Sequence, residues 1–341
     1  MERLFSIIIP CYNMEEYVGR AIGSVIDQTV DPSIYEVIAV NDASTDGTLE
    51  CLNEWAGKYP DTVKVISYEE NLRQGGARNL AIKQASGEYI CYLDADDWLE
   101  DNALETYMVG MGDLRRDIIT AKCSEDSEYP GNTGNQGKSI RIEKEFTFED
   151  EREFVGYDLG YVCTSVYRRD MIIENNVWFP EHLAYEDIYW QRLIKFYAGS
   201  ACILDGITLH HYNHPMSTLN RKNASHHTDR LTCYEKLLDE YSKRGLLKAF
   251  YPQILCDAME TYYFNSYFMF FTKLDDIPDV YSRIRLTMYK YFPDWEKRYD
   301  DGQLPDYFKY FLKLLKKAKS AKPADLQPFK DALFEILGQQ Q

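Results

Sequence analysis

The chain has 341 residues, room for two domains of ordinary size, and 45% of them are apolar, enough to fill real cores. Its formal net charge of -17 argues against a nucleic-acid binder, because phosphate backbones are gripped by clustered Lys and Arg; an acidic protein that handles phosphates wants a metal ion instead. Cysteines at 11, 51, 91, 123, 163, 202, 233 and 256 form no C-x-x-C pair and several sit in apolar runs, the usage of free thiols in a reducing cytoplasm.

"MERLFSIIIP" carries only a short apolar run before Pro10, too brief for a signal peptide. No later segment approaches the roughly 18 uninterrupted apolar residues of a membrane span. "LFSIIIP" predicts a first strand. "NMEEYVGRAIGSVIDQ" follows it with Val18, Ile22, Val25 and Ile26 at helical spacing, Asn13 as N-cap and Glu16 completing a capping box. "YEVIAVND" predicts a second strand, and "DGTLECLNEWAGKY" a helix with Leu49, Leu52 and Trp55 on one face. "VKVISY" predicts a third strand, "GGARNLAIKQAS" a third helix ending near Gly87, and the apolar run Tyr89 to Leu93 a fourth strand. Repeated β-α units of this length predict an α/β fold whose mainly parallel sheet is covered by helices on both faces. Ligands of such sheets bind at the carboxyl ends of the strands, which gathers Tyr12, Asn13, Asn41, Asp42, Asp94 and Asp96 at one crevice.

Beyond residue 100 the pattern loosens. Residues 123 to 139, "CSEDSEYPGNTGNQGKS", have no periodicity and read as a mobile loop, and helical spacing returns around a turn at Pro180. The polar stretch from Asn220 marks a boundary, dividing the chain into 1–222 and 223–341, whose residues 230 to 338 are nearly all helical in pattern and rich in Tyr and Phe. Within it, "YFKYFLKLLKKAKSAK" at 307 to 322 sets Phe308, Phe311, Leu312 and Leu315 on one stripe beside six lysines. Such a helix either lies on an anionic membrane surface or packs on other helices, in this chain or in a homo-oligomer.

No G-x-G-x-x-G follows the first strand and no phosphate-binding G-x-x-x-x-G-K-[ST] occurs. In "RQGGARN" the glycines read as a tight turn before the third helix, or as the approach to a helix end where Arg78 faces a phosphate. Asp94, Asp96 and Asp97 crowd like charges against an apolar strand, which costs free energy unless something positive joins them. A divalent cation, Mn²⁺ or Mg²⁺, is held by one or two carboxylates plus substrate phosphates, and it stabilises a departing diphosphate. Asp97 alone reads as the cap of a helix at "WLEDNALETY".

"FSIIIPCYNMEEYVGRAIGSVIDQT", "YEVIAVNDASTDGT", "ARNLAIKQASGEYICYLDADDWLE" and "FPEHLAYEDIYWQRLI" resemble, in order and spacing, successive motifs of family 2 glycosyltransferases, from residue 4 to about 220. The resemblance implies a GT-A fold, an activated nucleotide-sugar donor, a divalent metal and inversion at the anomeric carbon. It implies that Pro10, Tyr12 and Glu15 line the nucleoside pocket, with Tyr12 against the base and Asn13 and Ala95 nearby. Asp42 would accept from base or ribose, Asn71 and Arg78 would sit by the nucleotide, Asp94 would touch the ribose or metal shell, and Asp96 would ligate the metal. The catalytic base falls in the pair Glu186-Asp187, with Asp187 taking the proton of the acceptor hydroxyl. Without the resemblance, those two residues read as acidic groups at the positive end of a helix.

One departure stands in "ITLHHYNHPMSTL". Where relatives carry Tyr-x-Tyr-Arg before a Ser, this chain has His210, His211, Tyr212, Asn213 and then Ser217. His211 or His214 would replace the arginine or serve as a further metal ligand. The expected reaction joins a UDP-sugar to a glycan or lipid-linked glycan in surface or capsular polysaccharide synthesis, in the cytoplasm or at the inner face of the membrane. Two alternatives are a sugar nucleotidyltransferase, whose Gly-rich loop is absent from "PCYNMEE", and a non-catalytic binding scaffold, against which Asp96 and Asp187 argue.

Overall fold

The structure, a computed structural model, describes residues 3–113, 115–126, 135, 139–213, 222–274, 278–298 and 327, 328 and 331. Its elements to residue 212 are, in chain order, β1 (Phe5–Cys11), α1 (Val18–Ile26), β2 (Tyr35–Asp42), α2 (Thr48–Lys58), β3 (Val63–Tyr68), α3 (Arg73–Gln84), β4 (Tyr89–Tyr92), β5 (Trp98–Leu99), α4 (Ala103–Met111), β6 (Ile118–Asp126), β7 (Ile142–Thr147), α5 (Glu151–Val155), β8 (Ser165–Arg168), α6 (Arg169–Glu174), α7 (Glu186–Ile194) and β9 (Ser200–Tyr212). Two compact units form, Met1–Pro215 and Met216–Gln341.

In the first unit every residue of β1, β2 and β4 is buried, which is why these strands read as unbroken apolar runs. They pair in parallel in the order β3-β2-β1-β4, as the β-α repeat predicts. The sheet then continues as β8-β6-β9-β5, with β7 also on β9; only β6 with β9 is parallel in this half, so the whole is mixed.

Two expectations change here. The first four residues of the presumed loop, Cys123–Asp126, belong to β6 and pair with β9, and Asn135 is buried, its amide bonded to Ile207 on that strand. The helical spacing expected on the N-terminal side of Pro180, over 166–179, begins inside β8.

At the end of the sheet opposite the crevice, the Glu36 carboxylate is fully buried and accepts from Arg3 and Lys64 at 2.6 Å, and from Ser6 Oγ, Ser86 N and Ser86 Oγ at 2.7 Å. Burial alone would raise its pKa, but the bonds from Lys64, Ser86 and Ser6 outweigh it and lower the pKa from 4.5 to about 2. A carboxylate depressed on folding stabilises the native state above its unfolded pKa, and that contribution is lost as pH falls toward 2. Glu36→Gln is expected to cost about 2 kcal/mol at pH 7. Melting curves from pH 7 to 2 should show the gap to wild type closing below pH 4.5; a constant gap would refute the linkage.

The second unit is helical over its described residues from Ser225 on, as its pattern predicts. A helix at Asp229–Lys243 buries Leu231, Tyr234, Leu237 and Leu238, while Glu235 on it accepts twice from Arg283 and once from Tyr262. Tyr262, Tyr263 and Tyr267 fill the core. His214, Ser217 and the basic stretch 307–322 lie outside the described residues. Among the described residues no helix is long and apolar enough to cross a membrane. All eight cysteines are free.

Candidate active site

Register builds the crevice. Cys11 lies beside Asn41 and Ile8 beside Tyr92, so β1, β2 and β4 end on one edge of the sheet. Pro10 is buried in β1, and Tyr12 just beyond it is 46% exposed. Asn13 takes a left-handed conformation, φ 54°, and its Oδ1 accepts from Thr45 N at 2.8 Å, while Glu15 accepts from Gly47 N at 2.6 Å. Both side chains stitch the loop after β1 to the loop after β2. This corrects the capping box: Asn13 spends its acceptor across the crevice, and α1 starts only at Val18.

Asp42 is buried at the end of β2 and accepts from Leu72 N at 2.8 Å; burial pushes its pKa up. Asn71 donates to the Asp42 carbonyl at 3.1 Å and accepts from Arg73 N at 3.1 Å. These two residues therefore shape the turn that starts α3. That turn leaves Gly75 and Gly76 inside the helix, not in a turn before it.

The acidic turn after β4 divides its labour. Ala95 is buried, Asp94 and Asp96 are half-exposed, and Asp97 is buried. The Asp96 carbonyl accepts from Arg20, whose guanidinium lies 4.5 Å from the ring centroids of both Trp98 and Tyr212. Asp97 is not a helix cap. Its Oδ1 accepts from Tyr212 N at 2.9 Å and meets His211 Nδ1 at 3.1 Å, which binds β9 to the turn.

Burial raises Asp97, and the Asp97 carboxylate in turn raises His211 to about 9. A carboxylate on Nδ1 is the arrangement by which proteins orient a metal-binding imidazole, with Nε2 toward the ion. Among the described residues no three His, Cys, Asp or Glu side chains converge as a closed metal cage. The donor set instead fits an ion held by one or two carboxylates, with phosphate oxygens completing the shell.

The pair at the start of α7 is set by α3. Tyr185, φ 62°, turns the chain so that Glu186 is buried and Asp187 stays partly accessible. Arg78, expected beside a phosphate, is 1% exposed; Nη1 bonds Glu186 and Nη2 bonds Asp94 at 2.7 Å. Burial pushes Glu186 up to about 7, although Arg78 opposes the shift.

Next on α3, Asn79 donates to Phe179 O and accepts from Phe179 N, both at 2.9 Å. Phe179 stacks on Trp190 at 4.6 Å, with Tyr92 and Tyr167 edge-on to the indole. The segment leading to Glu186 and Asp187 thus rests on a packed aromatic floor.

A Cβ on Gly75 would come within 2.4 Å of Pro180 O and 3.1 Å of Glu186 Cγ. Gly75→Ala is therefore expected to cost about 1–3 kcal/mol by overpacking and to lower turnover by displacing the Glu186-Asp187 turn. Thermal melts alongside kcat measure both, and unchanged values would show that the segment yields freely.

Several site residues escape a reading of the sequence. His210 is buried between Glu100 Oε2 at 2.6 Å and Asp126 Oδ2 at 2.7 Å, stacked on Trp98. Tyr161, 46% exposed, stacks on His211 and donates to Glu125. The adjacent histidines after an apolar run were the one signal that pointed here.

A glycosyl transferase family 2 model matches residues 6–175. The Escherichia coli (strain K12) protein named uncharacterized glycosyltransferase YibD is 30% identical over 274 residues, 74% of this chain and 77% of that one. TarS, the poly(ribitol-phosphate) beta-N-acetylglucosaminyltransferase of Staphylococcus aureus (strain MW2), is 30% identical over 180 residues, 52% of this chain but 30% of the longer relative. The crystal structure of S. aureus TarS 1–349 in complex with UDP-GlcNAc matches with a TM-score of 0.72 at 23% identity, covering 99% of this chain and 92% of that one. The fold is GT-A-like with a helical region after it.

Proposed function

The chain belongs to glycosyl transferase family 2 and is a glycosyltransferase, and from its site we propose that it transfers a sugar, with inversion, from a UDP-sugar to a hydroxyl of a glycan or lipid-linked glycan. One observation carries the reading. The acidic turn after β4 and the acidic pair opening α7 meet on one buried guanidinium, which puts the two sets of carboxylates side by side, as a donor-binding group and a base would have to be.

The residues divide the work as follows. Tyr12 offers an exposed ring to the base, and Asp42 and Asn71 hold the turn before α3 that walls the nucleoside pocket. Asp96, with either Asp94 beside it or His211 across the turn as a second ligand, would hold a divalent cation together with the donor's phosphate oxygens. Bound there, Mn²⁺ or Mg²⁺ would supply positive charge to the departing diphosphate. Asp187 accepts the proton of the acceptor hydroxyl as its oxygen attacks the anomeric carbon from the face opposite the diphosphate. The new C–O bond forms as the bond to the diphosphate breaks, so configuration inverts. Glu186, buried and paired, positions that base.

The relatives supply the support for a polymer-building role: TarS is named for poly(ribitol-phosphate) and was crystallised with UDP-GlcNAc. Surface polysaccharide synthesis at the cytoplasmic face is the setting we assign. The test is incubation with a panel of UDP-sugars and Mn²⁺, with and without glycan acceptors. Release of UDP that rises with acceptor supports transfer. Pyrophosphate release would mean nucleotidyl transfer, and no product from any donor would remove the reading.

A further inference from the structure

We propose that Arg78 is a positioning residue, which ties Asp94 on the donor side of the crevice to Glu186 on the base side and so fixes where Asp187 stands. The inference rests on the transferase reading above, but its geometry does not. The guanidinium is 1% exposed and both terminal nitrogens are engaged, Nη1 with Glu186 Oε1 and Nη2 with Asp94 Oδ1. Its planar face lies 5.3 Å from the Phe179 ring centroid and 5.7 Å from that of Tyr92. With the guanidinium this buried, a diphosphate could reach it only if a packed neighbour moved aside.

Three successive contacts from α3 grip the same segment. Gly75 admits Pro180 and Glu186, Asn79 pairs with both backbone groups of Phe179, and Arg78 anchors Glu186 between them. Asp187 follows Glu186 in the first turn of α7, so the side chain that Arg78 immobilises sets the direction of its neighbour. An arginine suits this joint because its rigid fork presents two donors at once, whereas an ammonium is a single point charge.

The test uses the full chain with Arg78→Lys, Glu186→Gln and the double variant. Lysine reaches one carboxylate but cannot bridge two. Arg78→Lys is expected to lower kcat by about 10²-fold, the cost of a misplaced reacting group, and to change the Kd for UDP with Mn²⁺ by less than about threefold. Amide hydrogen exchange at residues 181–188 should become about tenfold faster, with β1 and β2 unchanged. The double variant should lose no more kcat than the worse single one, because both changes act at one joint.

A tenfold weaker UDP Kd with exchange at 181–188 unchanged would make Arg78 a diphosphate contact and overturn the proposal, as would additive losses in the double variant. Hydrogen exchange needs no turnover. A wild-type chain that uses no nucleotide sugar therefore refutes the transferase reading alone, while exchange still decides the joint. If Arg78→Lys does not fold, Glu186→Gln carries the same exchange expectation.

Discussion

Asp187→Asn should reduce transfer by about 10³-fold while leaving donor affinity within a factor of about three. The amide keeps the shape of the side chain and removes the basic lone pair proposed to take the acceptor proton. The structure separates the two members of the pair. Asp187 is partly accessible, whereas Glu186 is buried and bonded to Arg78, so only the former can meet a hydroxyl without breaking an ion pair. Steady-state kinetics with the accepted UDP-sugar, set beside UDP titration, distinguish a lost base from lost binding. An unchanged kcat in Asp187→Asn with a collapsed one in Glu186→Gln would transfer the role to Glu186 and require the turn to open in the working state.

The second large effect concerns Asp96. Asp96→Ala, or chelation of the wild type with EDTA, is expected to lower turnover by about 10³-fold or more, because charge stabilisation of a departing diphosphate is worth several kcal/mol. His211→Ala should weaken the metal requirement less, since a carboxylate and phosphate oxygens remain as ligands. Titrating Mn²⁺ into each chelated protein while following UDP binding reads this order directly. Full activity in EDTA would exclude the metal, and an Asp96→Ala chain with wild-type metal affinity would move the ligand elsewhere in the turn.

Much of the parallel half of the sheet was legible because β1, β2 and β4 are buried on both faces, and the edge strand β3 because apolar residues recur along it. β2 and β3 coincide with "YEVIAVND" and "VKVISY", and the carboxylates that end β2 and β4 were visible as polar interruptions of apolar runs. Asp97 was read by its neighbours in sequence and misassigned, because its partners His211 and Tyr212 lie on the last strand of the unit. Arg78 was read by its place near a helix start. Its actual partners are a carboxylate one strand away and another that only the return of the chain at α7 supplies.

The sequence by itself determined the β-α alternation, the edge where polar residues gather, the acidic turn and the acidic pair, since each is a local pattern of apolar spacing or charge. Tertiary structure alone decided how these parts divide their roles. The mixed second half of the sheet brings β9 against the acidic turn, so Asp97 braces His211 while Asp96 stays accessible. The close approach allowed at Gly75 buries Glu186 on Arg78 and leaves Asp187 half-open. The physical reason is the same in both places: a carboxylate's role depends on whether it faces water or a buried cation, and burial is fixed by residues that meet only after the chain has folded.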